Sequence, residues 1–420
     1  MSTKKNLLII THNITELTPG GGIEVYQDII RKNPEYNVFF LVKTTRNNTP
    51  EYIVRTPDEK FRIYALEKQI SVKTVKEDQR MNLVVQLIRE HKIDLVHFQH
   101  LLGHPLGLPK VLQNMKIPML YTLQDFYLTC FKFNLRKPNG SFCNTFDHSV
   151  SQCNFCLQAT HNIEFGYQEQ RRAFIGEMLS NFAGLISSTN YTKNAFQKIY
   201  PHLPDDLFHI LPLPKPWPSN DQERPTPKPK GEFLEVAIPG NYNSVKGGDL
   251  MFELIRGLQH EKIRFTVLGR IQEPKYKELF EKHKFPNLII KGGYDPKDII
   301  DILKDYDVSL HLSVWPETYM ITLSEAWTAG VVPIVTNLGA QGERVEHDKN
   351  GFAVPVDGIG EVYDALKSLL DSPKKLIEMK QAAIDTFTPT GEDHIPELNK
   401  IYEKVLSAHP KQGISVIRGK

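Results

Sequence analysis

Glu317 and Glu325 stand eight positions apart in the segment Pro316-Glu-Thr-Tyr-Met-Ile-Thr-Leu-Ser-Glu-Ala-Trp327. An ionised carboxylate accepts several hydrogen bonds at once, which suits the vicinal hydroxyls of a sugar. Eight residues is a little over two helical turns. Both acids can therefore address one ligand if Glu317 lies in a loop and Glu325 in the helix that the loop feeds. At such a helix mouth the N–H groups of Thr318, Tyr319 and Met320 lack intrahelical partners and suit a phosphate. Amides for phosphate and carboxylates for hydroxyls describe a nucleotide-sugar pocket. An isolated pair of glutamates at this spacing is more often a solvated helix face, so the neighbouring residues decide.

Cations and glycines follow other strand-like runs. Gly240-Asn241-Tyr-Asn-Ser-Val-Lys246-Gly247 comes directly after Glu235–Ile238, and Lys246 there can neutralise a diphosphate as a point charge. It is not a Walker loop, since no Gly-Lys-Ser/Thr occurs. Arg270 ends the next apolar run and is a second candidate cation, with an exposed arginine as the plain alternative. Gly20-Gly21-Gly22 after the first run lets phosphate or sugar approach closely. It lacks the G-x-G-x-x-G dinucleotide spacing, which disfavours an NAD-dependent oxidoreductase. His97 and His100 close the run Asp94-Leu-Val-His-Phe-Gln-His, and Gln124-Asp125 closes Tyr121-Thr-Leu. His97 and Asp125 are candidates for the reacting centre, although a structural histidine is the commoner outcome.

Four cysteines, Cys130, Cys143, Cys153 and Cys156, fall within 27 residues, and the chain has no others. In a reducing compartment their C-x12-C-x9-C-x2-C spacing reads as structural tetrahedral zinc, or as thiols that are reduced or partly disulfide-linked. An all-cysteine site leaves no open coordination position, so a catalytic metal is not expected.

The elements that must position these residues alternate strand and helix, which predicts an α/β chain with parallel sheets. Strands are expected at 7–10, 38–42, 95–98, 119–123 and 185–188. A second series is expected at 235–238, 265–268, 288–291, 308–312 and 332–336. Helical patterning covers 24–31, 80–90 and 191–199, then 250–258, 276–283, 297–304, 321–328 and 395–408. A proline-rich stretch separates the two series and reads as an extended linker. The expected division is therefore a Rossmann-like domain over 1–211, a linker over 212–231, a second Rossmann-like domain over 232–388 and a terminal helix within 389–420. At 420 residues two domains are the natural prior. A net charge of +2 gives no case for nucleic acid. There is no 18-residue apolar stretch and no signal-peptide pattern, so a cytoplasmic location is expected. Arg171, Arg172, Lys193 and Lys198 are the residues that would make a basic patch for peripheral membrane contact, with a solvated face as the plainer reading.

The segment Ser313–Val356 resembles the donor-binding core of glycosyltransferase family 4. The resemblance rests on Trp315-Pro-Glu-Thr-Tyr, Leu323-Ser-Glu-Ala, Ala329-Gly-Val-Val-Pro, Gly339-Ala340, Glu343 and Asn350-Gly-Phe-Ala-Val-Pro. It implies the GT-B architecture, with two Rossmann-like domains facing across a cleft and a last helix crossing back to the first. It also implies sugar transfer with retention of configuration from a UDP, GDP or dTDP sugar to a glycan, lipid-linked or other hydroxyl acceptor. Glu317 would hold sugar hydroxyls and Glu325 the ribose. Gly21, Gly22, Gly240, Asn241, Lys246, Arg270 and the amides of 318–320 would surround the diphosphate. Two positions depart from the family pattern: Asn241 stands where an arginine is usual, and Gln124 where a histidine is usual. They favour an alternative, an inactive GT-B protein that binds nucleotide or glycan as a partner subunit.

Overall fold

Leu7, Leu8, Ile9 and Ile10 are all buried, and a run apolar at every position belongs to a strand covered on both faces. In the computed structural model, which describes residues 4–17, 22–146, 149–215, 225–229 and 231–409, this run is β1 (Lys5–Thr11) of an eight-stranded sheet. The other strands are β2 (Tyr36–Arg46), β3 (Thr49–Arg55), β4 (Phe61–Ala65), β5 (Leu95–Phe98), β6 (Met119–Thr122), β7 (Gly184–Ser187) and β8 (Phe208–Ile210). They lie in the order β4-β3-β2-β1-β5-β6-β7-β8. Successive β1 side chains enter opposite cores. Leu8 and Ile10 join Val84, Leu87, Leu112 and Leu179, whereas Leu7 and Ile9 join Tyr26, Ile30, Leu398 and Tyr402.

The second sheet holds β9 (Leu234–Pro239), β10 (Ile263–Leu268), β11 (Leu288–Gly292), β12 (Val308–His311), β13 (Val332–Thr336) and β14 (Phe352–Val354). Its order is β11-β10-β9-β12-β13-β14, parallel at every pairing. Each sheet reverses strand order once, between β1 and β5 and between β9 and β12. Ligands of open α/β sheets bind beyond the carboxyl ends of strands at such a reversal.

The first sheet is not wholly parallel. β3 runs antiparallel to both of its neighbours, β2 and β4. The turn at Asn47 and Asn48, both at positive φ, accounts for the first reversal. The helices Gln152–His161 and Tyr167–Leu179 also go beyond the patterning read from sequence. Gly391–Ala408 is a single helix opened by a Thr390/Asp393 capping box. It packs on the first domain: Tyr402 Oη meets His97 Nδ1 at 2.8 Å, Asn399 Oδ1 accepts from Asn33 at 2.6 Å, and His394 Nε2 lies 3.1 Å from Tyr26 Oη. Where the chain leaves the first domain, Lys215 N–H donates to Pro389 O at 2.7 Å, so the outgoing and returning segments run side by side. Of the linker stretch, residues 216–224 and 230 lie outside the described residues. Among the described residues no helix is long and apolar enough to cross a membrane.

Candidate active site

The carboxyl ends of β9 and β12 are brought together by a close backbone approach. Gly247 sits at φ +84°, and a Cβ there would lie 2.1 Å from Leu312 O, so only glycine lets the loop after β9 lie against the end of β12. That contact places Lys246 beside Glu317, and the two form an ion pair. Glu317 also accepts from Ser313 Oγ at 2.9 Å, while its own N–H donates to Gln341 Oε1 at 3.2 Å. Its side chain is nearly covered, with 12% exposed, whereas Lys246 keeps 42%. The cation expected on a diphosphate and the acid expected on a sugar thus hold each other.

Past Glu317 the chain threads between the domains. Thr318 Oγ1 donates to Gln124 O across the cleft at 2.7 Å, and Thr318 O accepts from Thr189 Oγ1 at 3.2 Å. The Tyr319 ring enters the first domain's core and the Met320 side chain the second's, which leaves only their main chain for a ligand. Met320, at φ +65°, opens the helix Ile321–Ala329. Arg344, a residue the sequence reading passed over, fixes this loop. Its Nη1 donates to Tyr319 O at 2.7 Å and Met320 O at 3.1 Å, its Nη2 donates to Ser324 Oγ at 2.6 Å, and it stacks on the Tyr319 ring at 3.9 Å. A planar trans peptide points its N–H opposite its C=O. Arg344 therefore turns the N–H groups of Met320 and Ile321 away from itself. Its only signal in sequence was its place beside Glu343.

Glu325 lies one turn into that helix, 6% exposed. Burial pushes its carboxyl up to about 8. Tyr294 is near enough to feel Glu325, and its hydroxyl bonds the main chain at Gly240; burial first, then Glu325, raise the phenol. Gly240 and Lys246 belong to one loop, which Tyr294 meets at Gly240 and Glu317 at Lys246. Asn241 is exposed, and so is Arg270 at the end of β10, which lies along Gly293 rather than against Lys246. Gly22 begins the helix Gly22–Arg31; Gly21 lies outside the described residues.

Opposite stands a polar cluster at the ends of β1, β5 and β6. Asp125 accepts from His100 Nε2 at 3.1 Å and from Tyr127 N–H at 2.8 Å. Burial opposes its ionisation, but His100 and these bonds outweigh it and hold the carboxyl below its ordinary range. The His12 ring lies 4.6 Å from that of His100, and burial, then His100, push His12 down to about 3. Gln124 is committed elsewhere, its Nε2 donating to Gln99 Oε1 at 2.6 Å.

One reading from sequence is corrected here. His97, expected at the reacting centre, has no exposed surface. Its Nδ1 meets Tyr402 Oη and its Nε2 lies 2.7 Å from Thr122 Oγ1, so it joins the terminal helix to the sheet. Burial pushes it down to about 3, which keeps it neutral. Of the four residues considered for a basic patch, Lys198 is exposed and the other three are engaged within the fold. Arg171 is buried and donates to Tyr127 O, Arg172 donates to Thr129 O and Thr145 Oγ1, and Lys193 pairs with Asp205. Both arginines are spent on main-chain carbonyls of one turn.

The four cysteines line one cavity of about 270 Å³ in the first domain, and no disulfide joins them. Among the described residues, no three His, Cys, Asp or Glu side chains close around a metal position.

Residues 219–386 match the family described as glycosyl transferases group 1. A comparison with curated proteins finds no match. Among solved structures, Alr3699/HepE of Anabaena in complex with UDP is 13% identical, covering 96% of this chain and 100% of that one with a TM-score of 0.62. The sucrose-phosphate synthase of Thermosynechococcus elongatus is 13% identical over 96% and 100%, with a TM-score of 0.64. The catalytic domain of starch synthase IV from Arabidopsis thaliana, bound to ADP and acarbose, is 11% identical over 96% and 100%, with a TM-score of 0.62. At these identities the likeness concerns the fold.

Proposed function

We propose, for a chain whose residues 219–386 match the group 1 glycosyl transferases, transfer of a hexose-type sugar from a nucleoside diphosphate to a hydroxyl acceptor with retention of configuration. The observation that carries this reading is the Lys246–Glu317 pair, set at the mouth of the helix that bears Glu325. Alr3699/HepE binds UDP and UDP-glucose, and a diphosphate in the equivalent place here would meet Lys246 and the amides turned by Arg344. Glu317, freed from Lys246 by that competition, would accept from sugar hydroxyls, and Glu325 from the ribose. Gly22, Gly240, Asn241, Arg270 and the Thr318 amide line the approach.

In the retaining step the bond from the anomeric carbon to the β-phosphate oxygen breaks. The acceptor oxygen bonds the same face, and its proton passes to the departing phosphate. Lys246 and the loop amides carry the charge that develops on that leaving group. Asp125, held by His100, stands on the acceptor side. We assign residues 1–211 to the acceptor and 232–388 to the donor, with 212–231 and 389–420 joining them. Closure of the cleft excludes water and so limits hydrolysis of the donor.

The test begins with UDP-, GDP- and dTDP-sugars screened for protection against thermal unfolding, since a ligand of the native state raises apparent stability. With the donor so found, Glu317→Ala and Lys246→Ala should each lower kcat/KM by about 100-fold or more, with unchanged circular dichroism. Full activity in both variants refutes the assignment.

A further inference from the structure

Two pieces of chain enclose the cavity of about 270 Å³ in the first domain. The first is a hairpin: Arg136 and Phe142 form an antiparallel bridge, and Cys143 N–H donates to Leu135 O at 2.7 Å. The second is the helix Gln152–His161, where Cys153, Cys156 and Leu157 lie at i, i+3 and i+4 and share a face. Leu135, Cys153 and Leu157 are buried, whereas Lys137, Pro138 and Phe155 are exposed, so the former make the floor and the latter the mouth. Phe155, 71% exposed, stands edge-on to the exposed Phe165 at 5.3 Å and continues the apolar wall outward. Burial pushes the Cys130 thiol up to about 11 and raises those of Cys143 and Cys156. Neutral thiols are soft and behave as small apolar groups, so this wall suits carbon rather than an ion.

One polar atom stands against that wall. Gln168 lines the floor, 1% exposed, and its Nε2 donates to Thr129 O at 2.9 Å. That bond fixes the orientation of the amide and leaves Oε1 as an acceptor. It is buried with no partner among the described residues, which is costly unless a donor arrives. A settled buried water makes about three hydrogen bonds, and thiols are weak partners for the other two. An engineered cavity of about 150 Å³ takes up benzene, so on that scale this one holds roughly ten carbon atoms.

We propose that the cavity binds an apolar alcohol of roughly ten carbon atoms, its hydroxyl donating to Gln168 Oε1 and its carbons lying against the thiols and leucines. The site goes beyond the transfer proposed above and needs no donor sugar. Arg136, which also lines it, has Nη1 3.4 Å from Ser244 Oγ of the second domain, two residues from Lys246. A longer ligand would therefore emerge beside the cleft.

The experiment labels the full reduced chain with N-ethylmaleimide and counts adducts by intact mass. All four cysteines of the chain line this cavity, so every adduct reports on it. The probes are 1-alkanols from butanol to dodecanol. They should slow the labelling, with apparent affinity rising about fourfold per methylene and levelling off near roughly ten carbons. A methyl ether of equal size cannot donate to Gln168 and should bind about two- to tenfold more weakly than the alcohol. Cys156→Phe, which fills the cavity, should make labelling of the remaining thiols insensitive to the alkanols. Labelling unmoved or hastened by saturating decanol overturns the proposal. So does an affinity that ignores chain length, or a methyl ether that binds as well as the alcohol. The chain-length and ether series use the unaltered chain, so a misfolded variant does not remove the test.

Discussion

Glu325 gives the sharpest test of the donor pocket, because its charge and its role pull in opposite directions. An ordinary glutamate ionises at 4.5, whereas burial pushes this one up to about 8. The folded chain therefore keeps a proton that the unfolded chain gives up at 4.5. Stability is full below that point and falls as pH rises towards 8, by about 1.4 kcal/mol per unit. At pH 7 the loss comes to ~3 kcal/mol. Glu325→Gln removes the charge and keeps the shape, so the variant should match the parent near pH 4.5 and exceed it at pH 8 in denaturant titrations. Ribose hydroxyls, however, donate to the ionised carboxylate. Binding of a nucleoside diphosphate at pH 7 should then expel about 0.9 proton, the fraction still bound one unit below the folded value. Calorimetry in buffers of different ionisation enthalpy reads that number directly. Affinity should climb about tenfold per unit up to pH 8 and level off above it, and Glu325→Gln should abolish both the proton release and the slope. Tight binding of the same nucleotide with no proton exchanged, and equally by Glu325→Gln, refutes the reasoning.

Arg344→Lys keeps the charge but cannot hold two carbonyls and a serine in one planar fork. Donor affinity by calorimetry should fall at least about tenfold, and an unchanged value removes Arg344 from the orientation of the loop. Tyr402→Phe leaves His97 Nδ1 without its partner, which should cost about 1–3 kcal/mol in the unfolding of the first domain. At temperatures where the variant is folded its kcat/KM should equal the parent's; a lower value would return His97 to the chemistry.

Apolar runs and their spacing made most parallel strands of both sheets readable, because strands buried on both faces leave little sequence freedom; β8 and β14, three residues each, are too short to show such a run. β4 escaped for the opposite reason. β4 is largely exposed, so no apolar pattern marks it, and the one cue was Asn47-Asn48. Arg344 was hidden because its partners are main-chain carbonyls, which any sequence possesses. The His97 position at a strand end was legible, but its occupant arrives from Tyr402, 305 residues away. Gln124 read as a departure from a family pattern, and nothing local could reveal that Gln99 holds its amide.

The paired crossing at Lys215 and Pro389 has a mechanical meaning. Two chain segments tied side by side make an axle, and a body turning about it moves least near the axle and most at its far rim. Thr318 on Gln124, Glu343 on the start of the helix Asn190–Ile199 and Arg136 on Ser244 act as clasps spread across the two facing surfaces. In the function proposed above, product leaves after they let go, so their combined strength would set how long the jaws stay shut in each turnover.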